Sequence, residues 1–99
     1  MPLSKKLSKD KTVCKVGFSL PEEAAAGAKK LFLAGEFNGW APAPMRKAKG
    51  GFGLSLELPT GANYQYRYVT EAGAWLNDTE ADCYVFSSFA DADNSVVML

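Results

Sequence analysis

The sequence predicts an antiparallel all-β sandwich. Three observations carry that reading. Apolar residues recur with period two over several short stretches, the signature of strands with one buried face. Turn chemistry interrupts them about every ten residues, the spacing of a sandwich rather than of α/β units. No stretch carries the 3.6-residue period of a long helix. About seven strands are expected. They fit one domain, because 99 residues supply one modest core and no internal repeat divides them.

Residues 1–11 hold Lys5, Lys6, Lys9 and Lys11 with few large apolar side chains. They read as a basic, flexible, solvated tail, and the sandwich domain then runs over residues 12–99. Cys14, Val16, Phe18 and Leu20 alternate with Lys15, Gly17 and Ser19, a half-buried strand that Pro21 ends. The alanine-rich stretch Glu22 to Ala28 is long enough only for a helical turn, and Gly27 weakens it. Lys30 to Gly35 forms the next strand, with Leu31 and Leu33 on one face and Phe32 and Ala34 on the other. Asn38-Gly39 reads as a turn, because both residues tolerate positive φ. Pro42 and Pro44 then bar a central strand, since each lacks a ladder N–H.

A short strand fits at Met45 to Lys47, before a Gly50-Gly51 turn. Phe52, Leu54, Leu56 and Leu58 make the cleanest alternation in the chain, closed by Pro59-Thr60-Gly61. Tyr64, Tyr66 and Tyr68 alternate with Gln65, Arg67 and Val69. The tyrosines are expected to face inward or to lie at the sheet edge, which puts Gln65 and Arg67 together on the other face. Glu71-Ala72-Gly73 is a hairpin tip ahead of Trp75. Cys83 to Phe86 and Val96 to Leu99 are short strands, joined by a polar loop, Ser87 to Asn94, that contains Phe89.

Composition removes several functions. Lys+Arg and Asp+Glu are 11 each, so no bulk field draws nucleic acid or an acidic membrane. No apolar run is long enough to span a bilayer, and the basic N-terminus is not followed by the apolar region of a signal peptide. A cytoplasmic location is therefore expected. The chain has no histidine, which removes histidine triads and the commonest transition-metal ligand. Cys14 and Cys83 are separated by most of the chain and read as small buried hydrophobes with reduced thiols. Asp91-Ala92-Asp93-Asn94 lacks the glycine and distal glutamate of a calcium loop. Glu36, Asp78, Glu80 and Asp82 are not spaced as the carboxylate pair of a glycosidase. Neither metal, cofactor nor catalysis is expected.

The rest of the chain is organised around Leu31-Phe32-Leu33-Ala34-Gly35-Glu36-Phe37-Asn38-Gly39-Trp40. Trp40 stands where a strand ends and a stiff loop begins, and is either a core plug or a binding platform. Further blocks follow in order: Phe52 to Leu58 ending in Pro59, then Tyr64-Gln65-Tyr66-Arg67-Tyr68-Val69, then Gly73-Ala74-Trp75 with Asn77-Asp78, and finally Asn94-Ser95-Val96-Val97. This ordered set resembles carbohydrate-binding module family 48. That family includes the glycogen-binding domain of the AMP-activated protein kinase β-subunit and the N-terminal domains of isoamylases and branching enzymes. The resemblance runs from about Thr12 to Leu99, and Gly-x-Phe-Asn-x-Trp is its most specific phrase.

The resemblance implies an immunoglobulin-like β-sandwich that binds α-1,4-linked glucan, as in glycogen, starch or maltooligosaccharide. It implies that Trp40 and Trp75 stack on glucose rings, and that Arg67 and Asn94 bond sugar hydroxyls. Two departures stand out: Arg67 replaces a frequent lysine, and Ala92 stands where kinase-type members have a threonine. A bulky aliphatic residue of the family's site falls near Phe89-Ala90.

These residue types suit a glucan on physical grounds. An indole face carries partial negative charge and covers the C–H face of a pyranose. Two indoles at an angle suit a curved α-glucan better than a flat chain. Arg67 supplies fixed donors, and Asn94 both donates and accepts. Gln65, Asn77 and Phe89 are additional candidate contacts. Each main residue also has a plainer reading: Trp40 as a plug, Trp75 as hairpin packing, Arg67 as a solvated charge, Asn94 as a cap. The rival function is a protein-interaction or regulatory module that docks on a glycan-metabolising enzyme or another partner with little sugar affinity.

Overall fold

The computed structural model describes residues 3–25, 27–48, 50–78, 81–88 and 92–99. Its strands are β1 Ser4–Leu7, β2 Val13–Pro21, β3 Leu31–Gly35, β4 Ala43–Pro44, β5 Arg46–Ala48, β6 Gly51–Pro59, β7 Asn63–Thr70, β8 Trp75–Leu76, β9 Cys83–Ser87 and β10 Ala92–Met98. Every pairing is antiparallel. One sheet has the order β1-β2-β6-β5; the other runs β4-β3-β7-β10-β9, with β8 continuing the β10 side of β7. The fold is an all-β sandwich, as the alternation requires. Among the described residues no helix is long and apolar enough to cross a membrane.

The long central pair explains why register is so well specified. Cys14, Val16, Phe18 and Leu20 of β2 lie opposite Leu58, Leu56, Leu54 and Phe52 of β6. A slip of one residue would turn this whole apolar set outward. Facing it from the second sheet are Leu31, Leu33, Tyr66, Tyr68 and Val97, all buried. Phe18 meets Tyr66 edge-on at 5.0 Å between ring centroids, and Tyr66 meets Tyr68 at 5.9 Å. The tyrosines thus point inward, which fixes Gln65 and Arg67 on the outer face.

A carboxylate lies inside this aromatic layer. Asp78 is 2% exposed. Its Oδ2 accepts from the Tyr66 hydroxyl at 2.7 Å and the Tyr68 hydroxyl at 3.2 Å, so the buried polar groups are matched. Its backbone N–H donates to Ser95 Oγ at 2.9 Å, and its carbonyl accepts from Tyr84 Oη at 2.6 Å. The segment that follows Trp75 is thereby anchored to β7, β9 and β10.

The segments outnumber the strands expected from sequence. Ser4–Leu7, read as part of a flexible tail, pairs instead with β2 as an edge strand. All four of its residues are exposed, so no buried face marks it in the sequence. β4 and β8 are two residues long, below the length at which alternation can be read. The stretch after Pro21 is a 3-10 turn, Glu22–Ala25. Both thiols are free: Cys14 is buried, but Cys83 is half-buried on the edge strand β9, not the core hydrophobe expected.

Candidate functional site

The turn that carries Trp40 is built by one asparagine and two glycines. After β3 the chain makes a 3-10 turn, Glu36–Asn38. Asn38 Oδ1 accepts from the Gly35 N–H at 3.0 Å, and Asn38 Nδ2 donates to the Leu33 carbonyl at 3.2 Å. The left-handed residues are Gly39, with φ 65°, and Trp40, with φ 64°. Asn38 therefore acts through its side chain and not through positive φ, which corrects the expectation for the Asn38-Gly39 pair. The Trp40 N–H closes the turn on the Gly35 carbonyl at 2.8 Å. Gly35 itself is extended; a Cβ there would come within 2.8 Å of the Gln65 carbonyl oxygen and 2.7 Å of Phe37.

Glu36 fills a gap in the ladder. β3 stops pairing with β7 at Gly35, opposite Tyr66. The next β7 amide, that of Gln65, donates to Glu36 Oε1 at 2.7 Å. A carboxylate thus stands in for the missing strand, as a charge-assisted bond.

The outer face of the larger sheet collects the remaining groups. Trp75 lies opposite Val69, on the Gln65 and Arg67 side of β7. The Trp40 and Trp75 rings stand 6.4 Å apart at 54°. Trp75 is 47% exposed, and Trp40 is half-buried. Behind the indoles, Arg67 Nε and Nη2 both donate to the Asp93 carbonyl, at 3.2 and 2.8 Å. This leaves Nη1 uncommitted among the described residues. Asn94 Nδ2 donates to Gln65 Oε1 at 2.9 Å. Glu36, Trp40, Gln65, Arg67, Trp75, Ser87 and Asn94 line a groove of about 680 Å³. Its apolar part is the angled indole pair, its polar part a ledge of one guanidinium and two amides. Such a surface can cover apolar C–H faces and bond hydroxyls at their rim. Among the described residues no cluster of three His, Cys, Asp or Glu side chains is set to hold a metal.

No family model matches the chain. Among curated proteins it is 35% identical over 52 residues to the β-1 subunit of 5'-AMP-activated protein kinase from Sus scrofa, covering 52% of this chain and 41% of that protein. The same identity and length hold for the β-1 subunits from Rattus norvegicus and Homo sapiens, of which the match covers 18%. Over this 52-residue stretch the chain is similar to these kinase β-1 subunits. The resemblance read from the sequence, to the family that holds the β-subunit's glycogen-binding domain, points to the same protein. The match spans well under two thirds of the length of these β-1 relatives.

Of the residues carried over from the resemblance to the β subunit, Trp40, Arg67, Trp75 and Asn94 all meet in the one groove, and Gln65 joins them. Asn77 does not line it: its Nδ2 donates to the Asp93 carbonyl at 2.7 Å, and its Oδ1 accepts from Ser95 Oγ at 2.8 Å. Phe89 lies outside the described residues, as do Glu80 and Asp91. Two groove residues were not singled out as contacts from the sequence. Glu36 sits within the Gly-x-Phe-Asn-x-Trp phrase, but in the sequence it reads only as one of the scattered carboxylates. Ser87 carries no signal, being one serine at the end of a short strand.

Proposed function

We propose that the chain is a non-catalytic module that binds α-1,4-linked glucan, such as glycogen, starch or maltooligosaccharide, in this groove. The observation that supports it best is the pair of indoles at 54° above the Arg67 and Asn94 ledge. Trp40 and Trp75 cover successive glucose rings of a curved chain. Arg67 donates to hydroxyl oxygens, and Asn94 Oδ1, uncommitted among the described residues, accepts. Gln65 holds Asn94, and Asn77 helps hold the Asp93 carbonyl on which Arg67 rests. A shallow open groove gives weak binding to short sugars, with Kd on the order of micromolar to millimolar. A cytoplasmic setting with reduced thiols belongs to the same reading.

The test is a two-dimensional NMR titration with maltoheptaose, with cellohexaose as control. Saturable shifts of the Trp40 and Trp75 indole N–H signals are expected with the α-glucan alone. Unshifted indoles in maltoheptaose would defeat the reading. A second reading is favoured by the relatives themselves, which are subunits of a larger protein. In that reading the sandwich docks on a partner chain and the groove binds no sugar; the same unshifted indoles would support it.

A further inference from the structure

The free edges of the two sheets are not alike. A strand edge exposes a row of backbone donors and acceptors, and proteins blunt it with charge, proline or brevity. β1 carries Lys5 and Lys6, and β5 carries Arg46 and Lys47. β4 and β8 are two residues long, and β4 holds Pro44. β9 has none of these devices. Its sequence is Cys83-Tyr84-Val85-Phe86-Ser87, and among the described residues no strand pairs on its outer side. Tyr84, Val85 and Phe86 are 44%, 43% and 62% exposed.

We propose that β9 pairs with β9 of a second copy of this chain, antiparallel about a two-fold axis at Val85. The sequence is self-complementary in that register. Val85 faces its own copy, each Tyr84 faces a Phe86, and each Cys83 faces a Ser87. Aromatic cross-strand pairs of this kind favour the contact. The nearest charge, Asp82, meets Ser88, so no like charges oppose each other. Pairing through β1 or β5 would instead crowd lysine and arginine side chains. A two-fold contact of this type closes on itself and gives a dimer, not a fibre.

The size of the patch sets the strength. With aromatic side chains worth about 150–250 Å² each, the exposed parts of these three residues amount to a few hundred Å² per protomer. A standard interface takes about 800 Å² per partner. The dimer is therefore weak and forms at high local concentration. Its geometry has a consequence that rests on the glucan reading. The two-fold stands perpendicular to the joined sheet, so both grooves open on the same side. Five strand spacings separate the two β7 strands, or about 24 Å. One glucan particle spans both grooves, and binding gains from bivalency.

The experiment is sedimentation equilibrium of the full chain from micromolar to millimolar concentration, with Phe86→Lys as the variant. Phe86 points away from the groove face, so the substitution leaves the sugar site intact. A concentration-dependent dimer is expected, with Kd raised at least about tenfold by the edge lysine. A second variant tests register: Val85→Cys in a Cys83→Ser background forms an intersubunit disulfide on oxidation, while Cys83→Ser alone does not. A monomer at every concentration, or a dimer indifferent to Phe86→Lys, overturns the pairing. Each sample is also titrated with maltoheptaose. A monomer that binds the sugar sinks the pairing and spares the glucan reading. A Phe86→Lys-sensitive dimer that binds none supports the pairing and removes its consequence for glucan.

Discussion

Trp40 holds a left-handed backbone at the mouth of the groove, which costs an L side chain roughly 1–2 kcal/mol. Strain of this kind persists where its surroundings over-determine it. Here the Asn38 side chain and the Trp40 N–H to Gly35 bond do so. Trp40→Gly separates strain from function. Relief of the backbone offsets the lost ring contact with Trp75 and the added freedom of glycine in the unfolded chain, so stability changes by less than about 1 kcal/mol. On the proposed glucan reading, affinity for maltoheptaose falls at least about tenfold. Thermal unfolding and calorimetric titration of the same variant check both halves; a large drop in Tm with unchanged affinity would make Trp40 a structural plug.

At the scale of elements, the turn between β1 and β2 is tied by Asp10. Its Oδ1 accepts from Ser8 Oγ at 2.7 Å, from Thr12 Oγ1 at 2.8 Å and from the Thr12 N–H at 3.1 Å. The Ser8 bond first, then those from Thr12, lower the carboxyl from its usual 3.8 to about 2. The depressed value fixes the sign. The turn gains support from Asp10 above pH 3.8 and loses it as pH falls through about 2. Ser8 and Thr12 amide shifts should titrate in that window, and Asp10→Asn should abolish the titration. This turn also shows what the sequence hides. Strands β2, β3, β6 and β7 are legible because each turns alternate apolar or phenolic side chains onto the core. β1 is held by backbone pairing and this turn, without any buried face, so period-two reading passes over it. Alternation alone puts Gln65 and Arg67 on one face. The carbonyl of Asp93 that orients Arg67 is a backbone acceptor, and no side-chain pattern announces it.

For the whole molecule, the layer between the sheets is phenolic as well as apolar. Tyr66 and Tyr68 are held in their neutral form far above the ordinary phenol range, chiefly by burial. The neighbouring Tyr68 and then Asp78 add to the effect on Tyr66, and Asp78 to that on Tyr68. In the unfolded chain both phenols ionise near pH 10. The folded state keeps their protons, so the stability they support is complete below about pH 10 and is lost as pH rises beyond it. Chemical denaturation at a series of alkaline pH values should show that fall. Phenolate absorbance from these two rings should appear only with unfolding, and its appearance in the intact fold would contradict the buried arrangement.

The chain has two tryptophans, and both line the groove. Two of its four tyrosines, Tyr66 and Tyr68, are fully buried between the sheets. Indole emission is therefore a label-free reporter of the groove alone, and the near contact of the rings couples their transitions into one circular-dichroism couplet. A ligand that changes the angle between them changes the sign or size of that couplet without touching the tyrosine signal. Occupancy and unfolding can thus be followed as separate colours in a single cuvette.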